Sequence, residues 1–214
     1  MNNSRSITQS ITAVALDMIG VLVQEEKLIS RGFVNFFGEQ LLLPIEEIKH
    51  RYDHGYCIGT MTRDQFWDGI LSADWHIAER AFLLTRSFAS DASQVLPRLA
   101  ARYDLAVISD MPREWAEIIL DAQGIRPLLV AGVFSNDGHG SKKDGGLFGA
   151  LINALDRPAS QILLVDDRPA NLERAANAGI TGIHLPLDHS SPETEHSQVS
   201  SLTELAARLL DQTE

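Results

Sequence analysis

Cysteine is almost missing from this chain. Cys57 stands alone, so no intrachain disulfide can form, and the usage fits a reducing, cytoplasmic setting. Positive charge is scarce as well: 18 lysines and arginines face 29 aspartates and glutamates, a net charge of −11. Such a surface repels phosphate backbones and anionic lipid, so neither nucleic acid nor a membrane is expected as partner. No apolar run approaches the ~20 residues of a membrane span. The opening MNNSRSITQS lacks the apolar stretch of a signal peptide, so none is expected. There is no internal repeat, no low-complexity tract, and no feature that sets an oligomeric state. What is present is 214 residues, 44% hydrophobic and 22% charged, enough for one core with a small accessory domain.

Three short apolar runs end abruptly on polar residues: ITAVALD on Asp17, LAVIS on Ser109, and QILLVDD on Asp166 and Asp167. Separated by helical patterns, they read as buried parallel strands. The C-terminal ends of such strands open onto one crevice, where ligands bind. Lys142 and Lys143 lie between the second and third runs in the loop GHGSKKDGG. Three carboxylates, a hydroxyl and an ammonium would therefore converge, a set able to hold a divalent cation and a phosphoryl group.

Between the first two strands lies a long interval of helix signals. Lys27 to Gln40 places Leu28, Phe33, Phe36 and Phe37 at helical spacing, and Pro44 opens a second helix. Thr62 with Gln65 forms a capping box, and a further helix covers about Asp74 to Phe88. This predicts a doubly wound α/β core domain from residues 1–22 and 91–214, with an all-helical cap domain at 23–90. Beyond the cap, strands and helices alternate. The pattern places strands at Leu128 to Phe134 and Gly182 to Leu185, with helices from Ser93, Pro112, Leu147, Ala170 and Ser201. The helix before Gly179 ends on that glycine as a left-handed cap, and a polar loop covers Asp188 to Gln198.

DMIGVLV, LAVISD, GSKKDGGLF and LLVDDRPANLERAANAGI resemble, in that order, the four motifs of the haloacid dehalogenase (HAD) superfamily. The likeness runs from Ala13 to about Leu185, with the helical interval where that family's first cap type sits. YDHGYCIGTMTRDQFW is also similar to the cap pattern of its phosphatases. The resemblance implies a Mg²⁺-dependent hydrolase acting on a small phosphorylated metabolite. Asp17 is then the nucleophile, and Lys142 the cation facing the phosphoryl group. Ser109 and the backbone beside it, at Asp110, hold the phosphoryl oxygens. The metal ligands are Asp17, the carbonyl of Ile19 and Asp166, with Asp167 orienting a metal-bound water or the lysine.

Duller readings stand beside these. Asp166 and Asp167 could simply cap a helix, and Lys143 is a substitute for Lys142. His50 and His54 have zinc-ligand spacing without an evident third ligand. Cys57 reads as a packed thiol, and Trp67, Trp75 and Trp115 as core. One departure matters more. The family's phosphatases carry an acid–base aspartate two positions after the nucleophile, where this chain has Ile19. An isoleucine moves no proton, so poor leaving groups should suffer most. Dehalogenases and phosphonoacetaldehyde hydrolases dispense with that aspartate, the latter through a cap lysine, for which Lys27 and Lys49 are the candidates. A non-catalytic binding protein is the alternative of a different class. A receiver domain is excluded, because its Asp pair comes first in the chain.

Overall fold

The computed structural model describes residues 11–25, 28–72, 74–187 and 195–211. Strands β1 (Ala13–Asp17), β2 (Asp104–Ser109), β3 (Leu129–Phe134), β4 (Ile162–Asp166), β5 (Thr181–His184) and β6 (Ser197–Gln198) form one parallel sheet in the order β3–β2–β1–β4–β5–β6. The first, second and fourth are continuous apolar runs because both their faces are covered. Val14, Leu16, Leu105, Val107, Leu163 and Val165 face one side. There they pack with α5 (Ala92–Ala100), α6 (Arg113–Ala122) and α9 (Leu202–Leu210). Ala13, Ala15, Ala106, Ile108, Ile162 and Leu164 face the other, against α7 (Gly146–Leu155) and α8 (Pro169–Asn177). The chain leaves β1 in one direction to reach β2 and is joined from the other by β4, so the topological switch lies at the end of β1. Register puts Asp17 opposite Ile108, and Leu16 opposite Val165, which brings the polar ends of all three strands level.

The interval between β1 and β2 is helical, as expected, but more broken than its periodicity suggests. The first helix begins, within the described residues, as a wide turn at Leu28–Phe33, continues as α1 (Val34–Phe37) and tightens at Gly38–Gln40. Then come α2 (Ile45–Arg51), a second wide turn at Tyr52–Tyr56, α3 (Arg63–Trp67) and α4 (Trp75–Leu84). Pro44 and Pro112 stand one residue earlier than a first helical position, in extended conformation at the N-caps of α2 and α6. The Thr62–Gln65 capping box is present with both of its hydrogen bonds. Gly179 follows α8 at φ +83°, a left-handed position that glycine takes without strain.

The fourth cap helix stops at Leu84 rather than near Phe88 because the returning chain pairs with the outgoing chain. Gln24 N–H donates to the Ser87 carbonyl at 2.9 Å and Ala89 N–H to the Leu22 carbonyl at 2.8 Å, with Val23 bridged antiparallel to Phe88. The short strand β6 was not expected. It pairs with β5 through only two residues, too few for a sequence pattern.

Cap and core nevertheless share one apolar interior. At its centre Glu79, on α4, is fully buried. It accepts hydrogen bonds from Trp67 Nε1 at 2.7 Å, from Trp115 Nε1 on α6, and from the Arg63 guanidinium. A buried carboxylate is tolerated only when paired and hydrogen-bonded in this way. Glu79→Ala would strand two indole donors and a guanidinium, and should cost roughly 3–5 kcal/mol in denaturant-melt stability. Arg126→Ala, which breaks an exposed pair with Asp121, should leave the melt nearly unchanged.

Candidate active site

Each polar group of the site stands at the end of a strand or just past it. Asp17 closes β1 and is 5% exposed; Ser109 closes β2 at 2%; Asp166 closes β4 and is fully buried. Lys142 comes from the loop after β3 and is 1% exposed, whereas Lys143 is exposed to solvent, so the lysine pair divides cleanly. The Lys142 ammonium lies 2.7 Å from Asp17 Oδ1 and 2.8 Å from Asp166 Oδ2. Its backbone is fixed as well: Lys142 N–H donates to Asp110 Oδ1 at 3.0 Å. Asp110, expected beside the phosphoryl group, therefore spends its carboxylate on the lysine loop.

Asp166 is held on every side. Arg168 N–H donates to its Oδ1 at 2.9 Å, and Asn171 Nδ2 donates to both oxygens at 3.0 and 3.2 Å. Asp17 Oδ1 accepts from Met18 N–H at 2.6 Å, and Ser109 Oγ accepts from Met111 N–H at 3.1 Å, leaving its own proton to give. Asp167 is different. Its Oδ1 is buried without a hydrogen-bond partner. One oxygen from each of Asp17, Asp166 and Asp167 lies within 4.8 Å of the others, the one cluster among the described residues able to hold a metal ion. Gly20 makes room for it: at φ +94°, a Cβ there would meet the Asp167 carboxylate carbon at 2.3 Å. The imidazole of His184, opposite Asp166 on β5, braces the Asp167 carbonyl through Nε2 at 3.0 Å.

Three carboxylates crowd together beside one ammonium, which touches two of them. Burial, with Asp166 and Asp167 nearby, lifts Asp17 well above the ordinary carboxylate range despite the opposing pull of Lys142. Asp167 rises to about 6, first through burial and then through Asp166. Burial disfavours the Lys142 ammonium, but Asp166 and Asp17 outweigh it and hold its pKa above the ordinary lysine value.

Asp17, Ser109, Asp110 and Lys142, with Arg168 and Asn171 beside them, line the floor of a cavity of about 350 Å³. Ile19 lies half-buried in its wall, at the position where an acid–base aspartate was missed in the sequence. The cap side is lined by Leu28, Ile29, Ser30, Lys49, Tyr52 and Asp53. Cys57 also reaches the cavity, as a packed thiol: it donates to the Asp110 carbonyl at 2.7 Å, and burial pushes its pKa up to about 12. His50 and His54 lie with ring centres 4.8 Å apart, tilted by 46°, but belong to no metal-sized cluster among the described residues. Trp67 and Trp115 are fully buried, and Trp75 is partly buried against them. Lys27 lies outside the described residues. Asn171, Gly20 and His184 went unassigned in the sequence. Asn171 stands one turn into the helix after Asp166 and Gly20 three residues after the nucleophile position. His184 becomes visible only through strand pairing.

A profile of the haloacid dehalogenase-like hydrolase family matches residues 11–179, and the chain belongs to that family. It is 29% identical over 106 residues to validoxylamine A 7'-phosphate phosphatase of Streptomyces hygroscopicus subsp. limoneus. The match covers 49% of this chain and half the length of that relative. Among solved structures it is similar to a HAD family enzyme of Bacteroides thetaiotaomicron, determined with magnesium and inorganic phosphate. That match has TM-score 0.70 and 17% identity, covering 84% of this chain and 98% of the other. It is also similar to the L-2-haloacid dehalogenase of Xanthobacter autotrophicus with chloropropionic acid covalently bound, at TM-score 0.65 and 16% identity over 95% and 100% of the two chains. At these identities the structural likeness speaks to the fold. Among the described residues no helix is long and apolar enough to cross a membrane.

The raised Asp167 gives a sign that can be measured. A carboxyl whose pKa is higher folded than unfolded contributes stability below its unfolded value, and that contribution is lost as pH rises through the folded value. Without added metal, the protein should therefore lose stability between about pH 4 and pH 7. The shift from 3.8 to about 6 corresponds to ~3 kcal/mol at most. Asp167→Asn should flatten that slope and raise the melting temperature at pH 8 in EDTA. An unchanged slope would mean that Asp167 is not the strained group.

Proposed function

We propose that the protein is a Mg²⁺-dependent phosphomonoesterase of modest efficiency acting on a small phosphorylated metabolite. The observation that carries this reading is the convergence of one oxygen from each of Asp17, Asp166 and Asp167 within 4.8 Å, beside the Lys142 ammonium. The orphaned Asp167 oxygen fits a bound Mg²⁺ ion, and the absent side chain at Gly20 is what lets that carboxylate come close. Asp17, Asp166 and the Ile19 carbonyl are its ligands in this reading, with Asp167 beside them. Hard oxygen donors of this kind suit Mg²⁺. Bound there, the ion would offset the repulsion between the Asp17 carboxylate and an incoming phosphoryl anion.

In this reading Asp17 attacks phosphorus, the bond to the leaving oxygen breaks, and an aspartyl phosphate forms on Asp17. The Lys142 ammonium meets the phosphoryl oxygens with the charge it now shares with two carboxylates. The Ser109 hydroxyl and the main-chain amide of Asp110 hold the remaining oxygens. Water then attacks phosphorus, releasing inorganic phosphate and restoring Asp17. Ile19 neither protonates the leaving group nor activates that water, a loss of ~10²- to 10⁴-fold for a positioned acid–base group. Sugar phosphates and other good leaving groups need that help least.

The apolar Ile19 favours a second reading, dehalogenation or phosphonate cleavage at Asp17, or ligand binding without turnover. Against the first stands the three-carboxylate cluster, which halide displacement does not need. Against a Schiff base at Lys49 stands its ion pair with Asp53 at 2.8 Å, open to water.

p-Nitrophenyl phosphate separates these readings, because p-nitrophenolate leaves without a proton. Wild type should hydrolyse it with Mg²⁺ and not with EDTA. Asp17→Asn should abolish turnover while folding normally, and Asp166→Ala should lower Mg²⁺ affinity and rate together, with partial recovery at high Mg²⁺. Persistent turnover in Asp17→Asn would sink the mechanism.

Ile19→Asp tests the missing proton. Rates on alkyl phosphates should rise by about tenfold or more while p-nitrophenyl phosphate changes little, since only the alkoxide needs protonation. An equal effect on both substrates, or none, would favour the second reading.

A further inference from the structure

The chain has three tyrosines, and their hydroxyls stand in three different settings. Tyr103 donates to the Leu209 carbonyl at 2.9 Å. The Tyr56 hydroxyl is sealed in the interior without a partner. Tyr52 is 9% exposed and lines the same cavity as Asp17, Ser109 and Lys142. Its ring is enclosed: Trp115 stacks on it at 5.4 Å, and Phe66 and Tyr56 meet it edge-on at 6.1 and 6.5 Å. Its hydroxyl has no hydrogen-bond partner among the described residues, yet it is not one of their sealed orphan atoms, which are Tyr56 Oη, Asp167 Oδ1 and His184 Nδ1. An unpaired oxygen that is not sealed faces the open space its residue borders, which here is the cavity. A polar group almost wholly buried without a partner costs stability, and a ligand oxygen arriving in the cavity would supply the partner.

The backbone is unusual at the same place. Helix α2 gives way at Tyr52 to the wide turn Tyr52–Tyr56, in which Cys57 N–H donates to the Tyr52 carbonyl, five residues back, at 2.9 Å. Wide turns of this kind are rare and frequently stand at functional sites. Burial, then Cys57, Tyr56, Asp53 and Asp110, hold the Tyr52 phenol well above the ordinary tyrosine range, so it stays protonated and can donate. Ile19 lines the cavity with it and offers no donor.

We infer that the Tyr52 hydroxyl donates a hydrogen bond to the leaving oxygen of the phosphate ester, the contact that the Ile19 side chain cannot make. This rests on the phosphatase reading of the site, in which Lys142, Ser109 and the Asp110 amide are engaged with the other phosphoryl oxygens. The bond strengthens as the P–O bond breaks and negative charge gathers on the leaving oxygen. The phenol keeps its own proton. The alkoxide takes a proton from solvent water, and the hydroxide passes to the buffer. A donor that retains its proton helps less than a carboxylic acid would, in keeping with modest efficiency. Tyr52 is then a catalytic residue supplied by the cap, and basic leaving groups depend on it most.

Tyr52→Phe removes one oxygen and keeps the ring that stacks on Trp115. p-Nitrophenyl phosphate, phenyl phosphate and glycerol 3-phosphate present leaving oxygens of rising basicity, and kcat/KM reports the cleavage of the P–O bond. The variant should lose about tenfold or more on glycerol 3-phosphate, less on phenyl phosphate, and under about twofold on p-nitrophenyl phosphate, with an unchanged melting temperature. Damage to packing alone would lower all three together. Tyr56→Phe, which removes the sealed hydroxyl, should leave all three at the wild-type level. If the glycerol ester is too slow to measure, the ratio of phenyl to p-nitrophenyl ester gives the answer. An equal loss on every ester in Tyr52→Phe, or no loss on any, would overturn the inference and leave the phosphatase reading standing. Wild type that hydrolyses none of the three with Mg²⁺ would overturn the phosphatase reading, and the role of Tyr52 with it.

Discussion

The ammonium of Lys142, shared between Asp17 and Asp166 in a water-poor floor, is the interaction on which the site depends. Three carboxylates cannot lie together in a buried crevice without positive charge, and one ammonium offsets only a third of theirs. The fold supplies the rest of the support from main-chain and amide donors: Met18 on Asp17, and Arg168 and Asn171 on Asp166. Asp110 fixes the lysine loop from below. Asp167 keeps one buried oxygen, Oδ1, without a hydrogen-bond partner, and burial with Asp166 nearby raises its pKa. A site built this way stores electrostatic energy that a divalent cation releases, and that is the physical basis of the proposed metal dependence.

Burial of the floor demands a roof, and the cap provides it by joining the interior instead of resting on it. Glu79 and Trp115 tie α4 to α6, and α6 begins directly after the turn that carries Ser109. The geometry of the Ser109 turn and that of the cavity wall are thereby linked through one buried carboxylate. Ile19 completes the wall with an apolar side chain beside Asp17. In the proposed reading that side chain biases the chemistry toward leaving groups that depart as stable anions.

Much of this was legible in the chain. The strands could be read because parallel strands covered on both faces leave unbroken apolar runs, and their last residues point to one crevice. The capping box at Thr62 and the stop at Gly179 are local and need no tertiary knowledge. The family pattern pointed to Lys142 with Lys143 left open as a substitute, and of the two Lys142 is the buried one. Illegible features were those made by pairing distant segments. Glu79 looks like any helix-surface glutamate until Trp67, Trp115 and Arg63 close on it. His184 gains its place only through the β4–β5 register, and the shortened fourth cap helix reflects a ribbon between residues 22–24 and 87–89. Pro44 and Pro112 sat one position off because proline's fixed φ suits an extended N-cap as readily as the first helical turn.

The central claim is a phosphoryl group carried on Asp17, and chemical trapping reads it most directly. p-Nitrophenyl phosphate forms the acyl phosphate without a proton donor, and Ile19 supplies no base to hasten its hydrolysis, so the intermediate accumulates. Borohydride reduces an acyl phosphate to the alcohol, converting aspartate to homoserine, which peptide mass spectrometry locates. Homoserine at position 17, formed with Mg²⁺ and absent with EDTA, is the predicted result. Turnover of the ester with no homoserine at position 17, or with the label on another residue, would contradict it.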